Sequence, residues 1–255
     1  MEWCSFNYSN NLFFLFGARV LLLHRSYSFL NFFNGFILIY FTSDLHFGHK
    51  NIMKYCPNFR NFQSVDEMDE YLINLWNKTV TPDDEIYNLG DFSFYNSVEK
   101  TEQILTRLNG KHSLILGNHD NLINENKDLF KNKYKNDGNL LLEEILNYKK
   151  LSIKINDIKE NFILFHYPIL EWDKKDHGSV LLYGHLHDNL ANIKGRALNV
   201  GYDLHGKILN VYDVVEFVKD IKNLENHHPS KLYSINQNLN DRKNLIKTII
   251  KKINQ

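Results

Sequence analysis

The sequence predicts an α/β fold in which a layered sheet core is flanked by helices. From Phe36 onward, short apolar runs rich in β-branched and aromatic residues alternate with stretches that place apolar residues at helical spacing. In the second half of the chain, several short strand patterns follow one another. A chain of 255 residues with 43% hydrophobic and 24% charged residues is large enough for one domain with a substantial core.

The first half of the domain is predicted to alternate strands and helices. The run from Phe36 to Phe41 has the composition of a buried strand. Apolar residues then recur at three- and four-residue intervals between Val65 and Val80, which predicts a helix with one apolar face that ends at Thr81-Pro82-Asp83-Asp84. Further predicted elements are a strand at Glu85–Leu89, a helix at Val98–Leu108 and a strand at Ser113–Leu116.

The second half is predicted to be richer in strands. Residues Asn121–Lys150 are polar and rich in Asn and Lys, so we expect a surface excursion with helical turns. Leu151–Ile155 alternates apolar and polar residues at period two, as a half-buried strand does. The remaining predicted elements are strands at Phe162–Phe165 and Val180–Tyr183, a last core helix at Tyr212–Ile221 and a short amphipathic stretch at Leu245–Ile253.

Composition divides the chain into an extension at residues 1–37, a domain at residues 38–222 and a polar tail at residues 223–255. The extension holds two apolar stretches interrupted by Arg19, His24 and Arg25, so neither reaches the roughly twenty apolar residues of a membrane helix. Its start also lacks the basic opening of a secretory signal. We therefore expect the domain to begin near Leu38 and the earlier residues to be a mistaken upstream extension, the alternative being a weakly membrane-associating hairpin.

Charge and cysteine content narrow the function classes. The chain has 30 basic and 30 acidic residues, and this zero net charge is unlike the basic excess of a general nucleic-acid binder. Neither Cys4 nor Cys56 belongs to a Cys-x-x-Cys pair, which argues against a disulfide framework and against a thiolate zinc site. We therefore expect a cytoplasmic protein without a strong nucleic-acid signature and without a firm membrane signal.

Polar motifs with metal-binding side chains follow five of the predicted strands directly. The motifs are Asp44-Leu45-His46, Gly90-Asp91, Gly117-Asn118-His119-Asp120, His166 and Gly184-His185-Leu186-His187. In α/β sheets, sites are built at the carboxyl ends of the strands, so we expect these side chains to converge. A single Gly-Asp or a single His after a strand is usually structural. Five such endings in one order are poorly explained by chance.

The spacing within two of these motifs suits a metal centre. In Asp44-x-His46 and His185-x-His187, alternate residues of an extended segment point the same way, so each pair can face one ion. Carboxylate, imidazole and amide oxygen together suit borderline divalent ions such as manganese, iron or zinc. The sequence therefore predicts a divalent-metal site at the edge of the sheet.

Taken in order, the motifs resemble the signature of the calcineurin-like metallophosphoesterase superfamily, from Phe41 to about Asp203. The run Thr42–Asn51 is similar to that of its compact bacterial and phage members. The resemblance implies a four-layer α/β/β/α sandwich, with two mixed sheets flanked by helices and the site at the sheet edge. It also implies two divalent ions, one bound by Asp44, His46 and His187, the other by Asn118, His166 and His185, with Asp91 bridging both.

The resemblance further implies hydrolysis of a phosphoester by in-line attack of a metal-bridging hydroxide, with Asp91 as the shared ligand. His119 would face the phosphate instead of a metal and protonate the leaving oxygen. We expect substrate contacts from His49, Asn118 and His119, although His49 and Asn51 can equally begin a helix. The rim of the site is expected to be closed by Asn199, Gly201 and Asp203.

The expected substrate is a small phosphodiester or phosphomonoester, with nucleotides among the candidates. Serine/threonine protein phosphatases of this superfamily continue after Gly-Asp with an Asp and an Arg, whereas here Phe92-Ser93-Phe94-Tyr95 follows Asp91. A phosphodiesterase is therefore favoured over a protein phosphatase. One alternative is a metal-dependent nuclease, which the zero net charge disfavours. The other is a protein-interaction scaffold, which is disfavoured because every ligand of the signature is present.

Overall fold

The structure is a computed structural model, and it describes residues 37–222 and 246–252. The proposed mistaken start, the alternative membrane hairpin and most of the predicted polar tail lie outside the described residues. Residues 246–252 form a helix, which matches the amphipathic stretch predicted there. Within the described ranges, no helix combines the length and the apolar character needed to cross a membrane.

Nine strands and seven α-helices make up the domain within residues 37–222. The strands are β1 (Ile39–Thr42), β2 (Glu85–Asn88), β3 (Lys111–Ile115), β4 (Glu144–Leu146), β5 (Lys149–Ile155), β6 (Ile158–Leu164), β7 (Val180–Tyr183), β8 (Ala197–Asn199) and β9 (Leu209–Asn210). The helices are α1 (Ile52–Tyr55), α2 (Val65–Thr79), α3 (Val98–Arg107), α4 (Asn121–Glu125), α5 (Lys127–Asn132), α6 (Tyr202–His205) and α7 (Val211–Val218). A 3₁₀ helix at Lys175–His177 precedes β7.

The first sheet has five strands in the order β4-β3-β2-β1-β9. The four longer strands run parallel to one another, while the two-residue β9 pairs with β1 in the antiparallel direction. In this register, Thr42 of β1 lies opposite Asn88 of β2, and Asn88 lies opposite Leu114 of β3. The carboxyl ends of β1, β2 and β3 therefore lie side by side, and a predicted polar motif follows each of them.

The second sheet has four strands in the order β5-β6-β7-β8. β5 and β6 form an antiparallel hairpin, and β6, β7 and β8 run parallel. The hairpin turns through Asn156 (φ 47°) and Asp157 (φ 66°), the left-handed pair that a two-residue type I′ turn requires. The parallel strands bring the motifs after β6 and β7 to one edge of this second sheet.

Three buried apolar clusters separate the layers. Helices α2 and α3 pack on the outer face of the first sheet, through residues that include Leu72, Trp76 and Leu105. The two sheets share a second cluster, which contains Phe41 and Ile115 from one sheet, Phe162 and Leu182 from the other, and Val214 of α7. The outer face of the second sheet is covered around Trp172 by the segment that includes the 3₁₀ helix. This arrangement of two mixed sheets flanked by helices confirms the predicted fold class.

Helix ends follow capping signals in the sequence. The hydroxyl of Ser64 accepts a hydrogen bond from the backbone N–H of Glu67 at the start of α2, and Ser97 caps α3 in the same way. Asn210 and Asp213 form a reciprocal capping box at the start of α7. These caps determine the residue at which each helix begins, and therefore where the preceding loop ends.

The predicted surface excursion at Asn121–Lys150 is only partly correct. It contains α4 and α5, as the helical turns predicted, but it also buries Phe130, Leu141 and Leu142 and adds β4 to the first sheet. β5 begins inside the excursion, at Lys149. The polar composition did not indicate β4, because all three residues of this edge strand are half-buried. Apolar and polar residues therefore do not alternate along it as they do in a strand with one buried face. β9 was not predicted either, since two residues give no periodicity.

Candidate metal centre

All seven predicted metal ligands lie together at the edge where the strands of both sheets end. Two groups can be distinguished within them. We define the first half-site as Asp44, His46 and His187, and the second half-site as Asn118, His166 and His185. Asp91 lies between the two groups.

The first half-site is the more deeply buried. One donor atom from each of Asp44, His46 and His187 lies within 4.8 Å of the other two. The Asp44 side chain is fully buried and that of His46 is 2% exposed. The rings of His46 and His187 are stacked, with their centroids 5.0 Å apart. Three donors at this separation can converge on one ion.

The second half-site is more open to solvent. Asn118 Oδ1 lies 2.9 Å from His185 Nδ1 and 3.2 Å from His166 Nε2, so the three side chains that could bind an ion are in contact. His166 is buried, His185 is half-buried and Asn118 is exposed. His166 Nδ1 lies 2.6 Å from the backbone carbonyl oxygen of Leu89. This contact places the ring proton on Nδ1 and leaves Nε2 to act as a ligand.

Asp91 lies midway between the two half-sites. Its Oδ2 atom lies 3.6 Å from Nε2 of His46 in the first half-site and 3.6 Å from Nε2 of His166 in the second. Its Oδ1 atom accepts a hydrogen bond of 2.8 Å from the backbone N–H of His119. The carboxylate is therefore oriented by the loop after β3 and presents one oxygen to both groups.

Five of the seven predicted ligands have a left-handed backbone. Their φ angles are 58° for Asp44, 50° for His46, 54° for Asp91, 69° for His185 and 53° for His187. Left-handed conformation costs a non-glycine residue roughly 1–2 kcal/mol. Such residues cluster at functional sites, where the surrounding structure imposes a conformation that the residue does not itself prefer.

Two glycines allow the loops to pass the ligands closely. A Cβ atom on Gly117 would lie 2.3 Å from Asp91 Oδ1, and one on Gly184 would lie 2.6 Å from Asp44 Oδ2. Neither distance is compatible with a side chain. The glycines that precede Asn118 and His185 therefore let these two motifs approach those of Asp91 and Asp44, so that four motifs share a small space.

Burial favours the neutral form of four of the seven predicted ligands. Desolvation raises the pKa of Asp44 to about 7 and also raises the pKa of Asp91. It lowers the pKa of His46 well below its ordinary value and the pKa of His166 to about 4. A divalent cation bound beside these carboxyl groups would favour their ionised form, because it supplies the opposite charge that burial otherwise denies them.

The donor set fits a divalent ion on a second, independent ground. Neither ring nitrogen of the buried His46 has a hydrogen-bond partner among the described residues. Buried polar atoms are nearly always paired, so two such atoms on one ring require an explanation. A metal ion bound at one nitrogen would account for that atom, because Asp44, Asp91 and His187 surround the same ring.

The predicted substrate-contacting residues lie at the mouth of the centre. His119 is exposed, and its ring centroid lies 5.5 Å from that of His46 and 4.9 Å from that of Phe94. His49 stacks on Phe94 with ring centroids 3.9 Å apart and lies 5.5 Å from the His46 ring. Asn51 is exposed and immediately precedes α1. It therefore lies at the start of a helix, which is one of the two alternatives that the sequence left open.

The predicted rim residues lie beside the first half-site. Asn199 donates through its side-chain amide to the backbone carbonyls of His187 and Asn189, and it accepts from the backbone N–H of Gly201. Asp203 is fully buried and its Oδ2 atom lies 2.8 Å from His187 Nδ1. Asp203 therefore contacts a predicted ligand directly instead of closing a rim.

Two residues that hold the centre together were not predicted from the sequence. The buried carboxylate of Asp120 accepts hydrogen bonds from the backbone N–H groups of Asp91, Phe92 and Gly117, and burial raises its pKa to about 6. Arg60 donates to Asp203 and to the backbone carbonyls of Asp44 and Leu45. Asp120 belongs to a motif that was noticed, whereas no pattern distinguishes Arg60 from other loop residues.

Comparison with known proteins gives the same family as the motifs. The chain is 27% identical to the Gene 66 protein of Mycobacterium phage L5, over 74% of this chain and 98% of the phage protein. It is 31% identical to the uncharacterized protein MJ1445 of Methanocaldococcus jannaschii, over 65% of this chain and 82% of that protein.

A solved structure also shares the fold. The crystal structure of the protein of unknown function AQ665 from Aquifex aeolicus aligns with a TM-score of 0.50 and 22% identity, over 71% of this chain and all of that chain. The sequence model of the calcineurin-like phosphoesterases matches residues 37–246, which is most of the chain. On this match and on the ordered motifs, the chain belongs to the calcineurin-like phosphoesterase family, whose members hydrolyse phosphoesters with the help of metal ions.

Proposed function

We propose that this protein is a phosphoesterase with two divalent ions that hydrolyses a small phosphodiester or phosphomonoester. The position of Asp91 carries the proposal, because one carboxylate oxygen lies 3.6 Å from Nε2 of His46 and 3.6 Å from Nε2 of His166. A carboxylate equally distant from two donor groups is the arrangement expected of a ligand shared by two ions. Enzymes that cleave phosphoesters often use two ions about 3.5–4 Å apart.

Each half-site would hold one ion through its own three side chains. When bound, the two ions would neutralise the charge of the phosphate and make a water molecule a better nucleophile near neutral pH. The nitrogen and oxygen donors favour manganese, iron or zinc over ions that prefer thiolate ligands. Cys56, the free cysteine within the described part of the chain, is buried and is not one of the six half-site residues, although its Sγ lies within 4.8 Å of donor atoms of His187 and Asp203.

His119 is the group that would complete the reaction. Its backbone N–H is fixed on Asp91 Oδ1, while its imidazole is exposed at the mouth of the centre. A ring nitrogen of His119 can therefore approach a phosphate bound between the half-sites and donate a proton to the departing oxygen. General acid catalysis of this kind typically contributes about 10²–10⁴-fold to the rate.

Exposed aromatic side chains at the mouth support a substrate with a planar organic group. Phe94 is 40% exposed beside the first half-site, and Tyr167 is 37% exposed beside His166 and His185. A nucleoside or another flat group attached to the phosphate can pack against such rings. The residues after Asp91 lack the Asp-Arg pair of the related protein phosphatases, which favours a small ester over a phosphoprotein.

The test is metal analysis combined with turnover of two synthetic esters. The purified protein should retain two equivalents of a divalent metal and should hydrolyse bis-p-nitrophenyl phosphate in the presence of manganese. p-Nitrophenyl phosphate measures monoesterase activity in parallel, and cyclic and linear nucleotides test the planar-group expectation. A chelator should abolish turnover, and manganese should restore it.

The outcomes separate the candidate functions. Diester cleavage that exceeds monoester cleavage supports a phosphodiesterase, and the reverse ratio supports a phosphatase. Faster cleavage of single-stranded DNA or RNA than of any small ester would identify the nuclease alternative. Bound metal without hydrolysis of any ester would contradict the proposal and favour the scaffold. The cytoplasmic setting stays a prediction from cysteine content.

A further inference from the structure

Arg60 is a cationic residue buried beside the first half-site. It lies in the loop between α1 and α2, and its side chain has no exposed surface. Burying a guanidinium group is costly unless hydrogen bonds and an opposite charge compensate for lost hydration. The contacts that compensate for it therefore show what this residue does in the fold.

Every strong contact of Arg60 leads to the first half-site. Nε lies 2.5 Å from Asp203 Oδ1, and one Nη atom lies 3.2 Å from Asp203 Oδ2. The two Nη groups donate to the backbone carbonyls of Asp44 and Leu45, at 2.7 Å and 2.9 Å. The guanidinium also lies over the Tyr202 ring, 5.0 Å from its centroid. One side chain thus connects the loop that contains Asp44 to helix α6, which contains Tyr202 and Asp203.

Asp203 extends this network to a second ligand. Its Oδ2 atom lies 2.8 Å from Nδ1 of His187. A carboxylate in this position holds the ring proton on Nδ1, fixes the orientation of the ring and leaves Nε2 as the basic nitrogen. The Arg60 guanidinium on the other side of Asp203 supplies the opposite charge that a fully buried carboxylate needs.

We propose that Arg60 is a positioning residue that sets the ion affinity of the first half-site, acting on Asp44 through its backbone and on His187 through Asp203. The inference rests on the proposed function, because it presumes that the half-site holds an ion. The second half-site is arranged differently, since His166 is oriented by the carbonyl of Leu89 and not by a charged side chain. Changes at Arg60 should therefore affect one ion and spare the other.

Four variants test this assignment. Asp203→Asn is nearly isosteric, and its Oδ1 atom still accepts from Arg60 Nε, but the NH2 group that replaces Oδ2 cannot accept the proton of His187 Nδ1. Arg60→Met removes the charge at similar volume, and Arg60→Lys keeps the charge but loses the two-pronged geometry. Arg196→Lys is the matched control, because Arg196 also pairs with a carboxylate, Glu160, and donates to a backbone carbonyl, that of Gly178, in the second sheet.

The measurement is manganese binding to metal-free protein, followed by electron paramagnetic resonance and fitted with two sites, alongside thermal unfolding of the same samples. We expect Asp203→Asn and Arg60→Met to weaken one site by about 10–100-fold, the usual effect of losing a group that orients a metal ligand. The other site should keep wild-type affinity. Arg60→Lys should recover part of the loss, and Arg196→Lys should change stability without changing either affinity.

The results that overturn the inference are distinct from those that overturn the function. Wild-type protein that binds no ion contradicts the proposed function and this inference with it. Wild-type binding of two ions with unchanged binding in Asp203→Asn contradicts the inference alone, as does equal weakening of both sites. If Arg60→Met does not fold, the isosteric Asp203→Asn variant decides. A comparable loss of one ion in Arg196→Lys would show that the effect is general destabilisation.

Discussion

The two half-sites use similar side chains in different surroundings. The first half-site has a carboxylate of its own, Asp44, and is buried, whereas the second has the neutral amide of Asn118 and is open to solvent. Charged ligands bind divalent ions more strongly than neutral ones, and a buried ion exchanges with solvent less readily. The comparison indicates that two ions in one centre need not be held equally tightly.

Their supports differ as well. The first half-site is braced by Arg60 and Asp203, two charged residues separated by 143 positions in sequence. The second is braced by a backbone carbonyl, at Leu89, immediately after β2. A carbonyl at the end of a strand moves with the sheet, whereas a loop residue and a helix residue that are distant in sequence must be brought together by folding. The first half-site is therefore the one whose formation depends on the whole domain.

The largest expected effect comes from the residue that the half-sites share. Asp91→Asn should weaken the binding of both ions, because they lose the carboxylate that they share. Turnover should fall by more than about 10²-fold, which exceeds the usual cost of losing an orienting residue. Metal content and hydrolysis of bis-p-nitrophenyl phosphate measure the two effects. Asp84→Asn, the same change in a buried carboxylate at the other end of β2, is the control. Loss of a single ion in Asp91→Asn would contradict the bridging role.

His119 belongs to neither half-site, and its variant should separate catalysis from metal binding. His119→Ala should reduce turnover by about 10²–10⁴-fold with both ions retained, because only the proton donor is lost. The same substitution at His177, an exposed histidine in the 3₁₀ helix, should have no effect. If metal content falls together with turnover in His119→Ala, this residue is a ligand and its proposed role is wrong.

Exchanging the donors should reverse the order of affinities. Asp44→Asn removes the carboxylate of the first half-site, and Asn118→Asp adds one to the second. We expect the first change to weaken one ion by at least about 10-fold and the second to strengthen the other, since orienting contacts alone are worth about 10–100-fold. Chelator titration of the manganese-loaded variants measures both sites. Unchanged order in the double variant would show that burial, and not ligand charge, sets the difference.

The smallest expected effect concerns a histidine outside both half-sites. His112 is fully buried against Trp76 and Phe92, and its ring nitrogens have no hydrogen-bond partner in the part of the chain that the structure describes. Burial lowers its pKa well below the ordinary value. His112 therefore binds a proton in the unfolded chain at a pH at which it stays neutral in the folded chain, and the free energy of unfolding falls as the pH drops below about 6.5. A single proton taken up by the unfolded chain alone contributes at most about 1.4 kcal/mol for each pH unit.

Urea unfolding of metal-free protein at pH 5 and pH 8 measures that loss, and His112→Leu should reduce it. Subtracting this contribution sharpens the comparison of the half-sites, because His46 and His166 also have lowered pKa values and respond to acid in the same direction. An identical pH dependence in wild type and His112→Leu would show that the core histidine is not the source.

The sequence predicted the parts of the molecule that local patterns encode. The strands that precede Asp44, Asp91 and Asn118 were recognisable because apolar runs stop abruptly at polar motifs, and parallel pairing then brings those motifs to one edge. The structure places all seven predicted ligands there. Their roles as metal ligands stay predictions until an ion is measured.

What the sequence could not predict depends on distant pairing. Arg60 lies in an irregular loop and meets Asp203 only after both sheets have formed, so no local spacing relates the two residues. Asp203 was expected at the rim because it follows a short strand, but its contact with His187 Nδ1 depends on how α6 packs against the loop after β7. β4 and β9 were missed because short edge strands depend on their neighbours for stability and not on their own composition.

The left-handed backbone of five predicted ligands has a consequence for protein engineering. At Asp44, His46, Asp91, His185 and His187, local conformational energy favours glycine or asparagine over the residue that is present. A redesign that increases thermal stability from backbone geometry alone would replace these residues first. The resulting protein would be more stable but would lack the predicted metal ligands. The same conflict between side-chain chemistry and backbone preference can serve as a search criterion for metal centres in proteins whose sequences resemble nothing known.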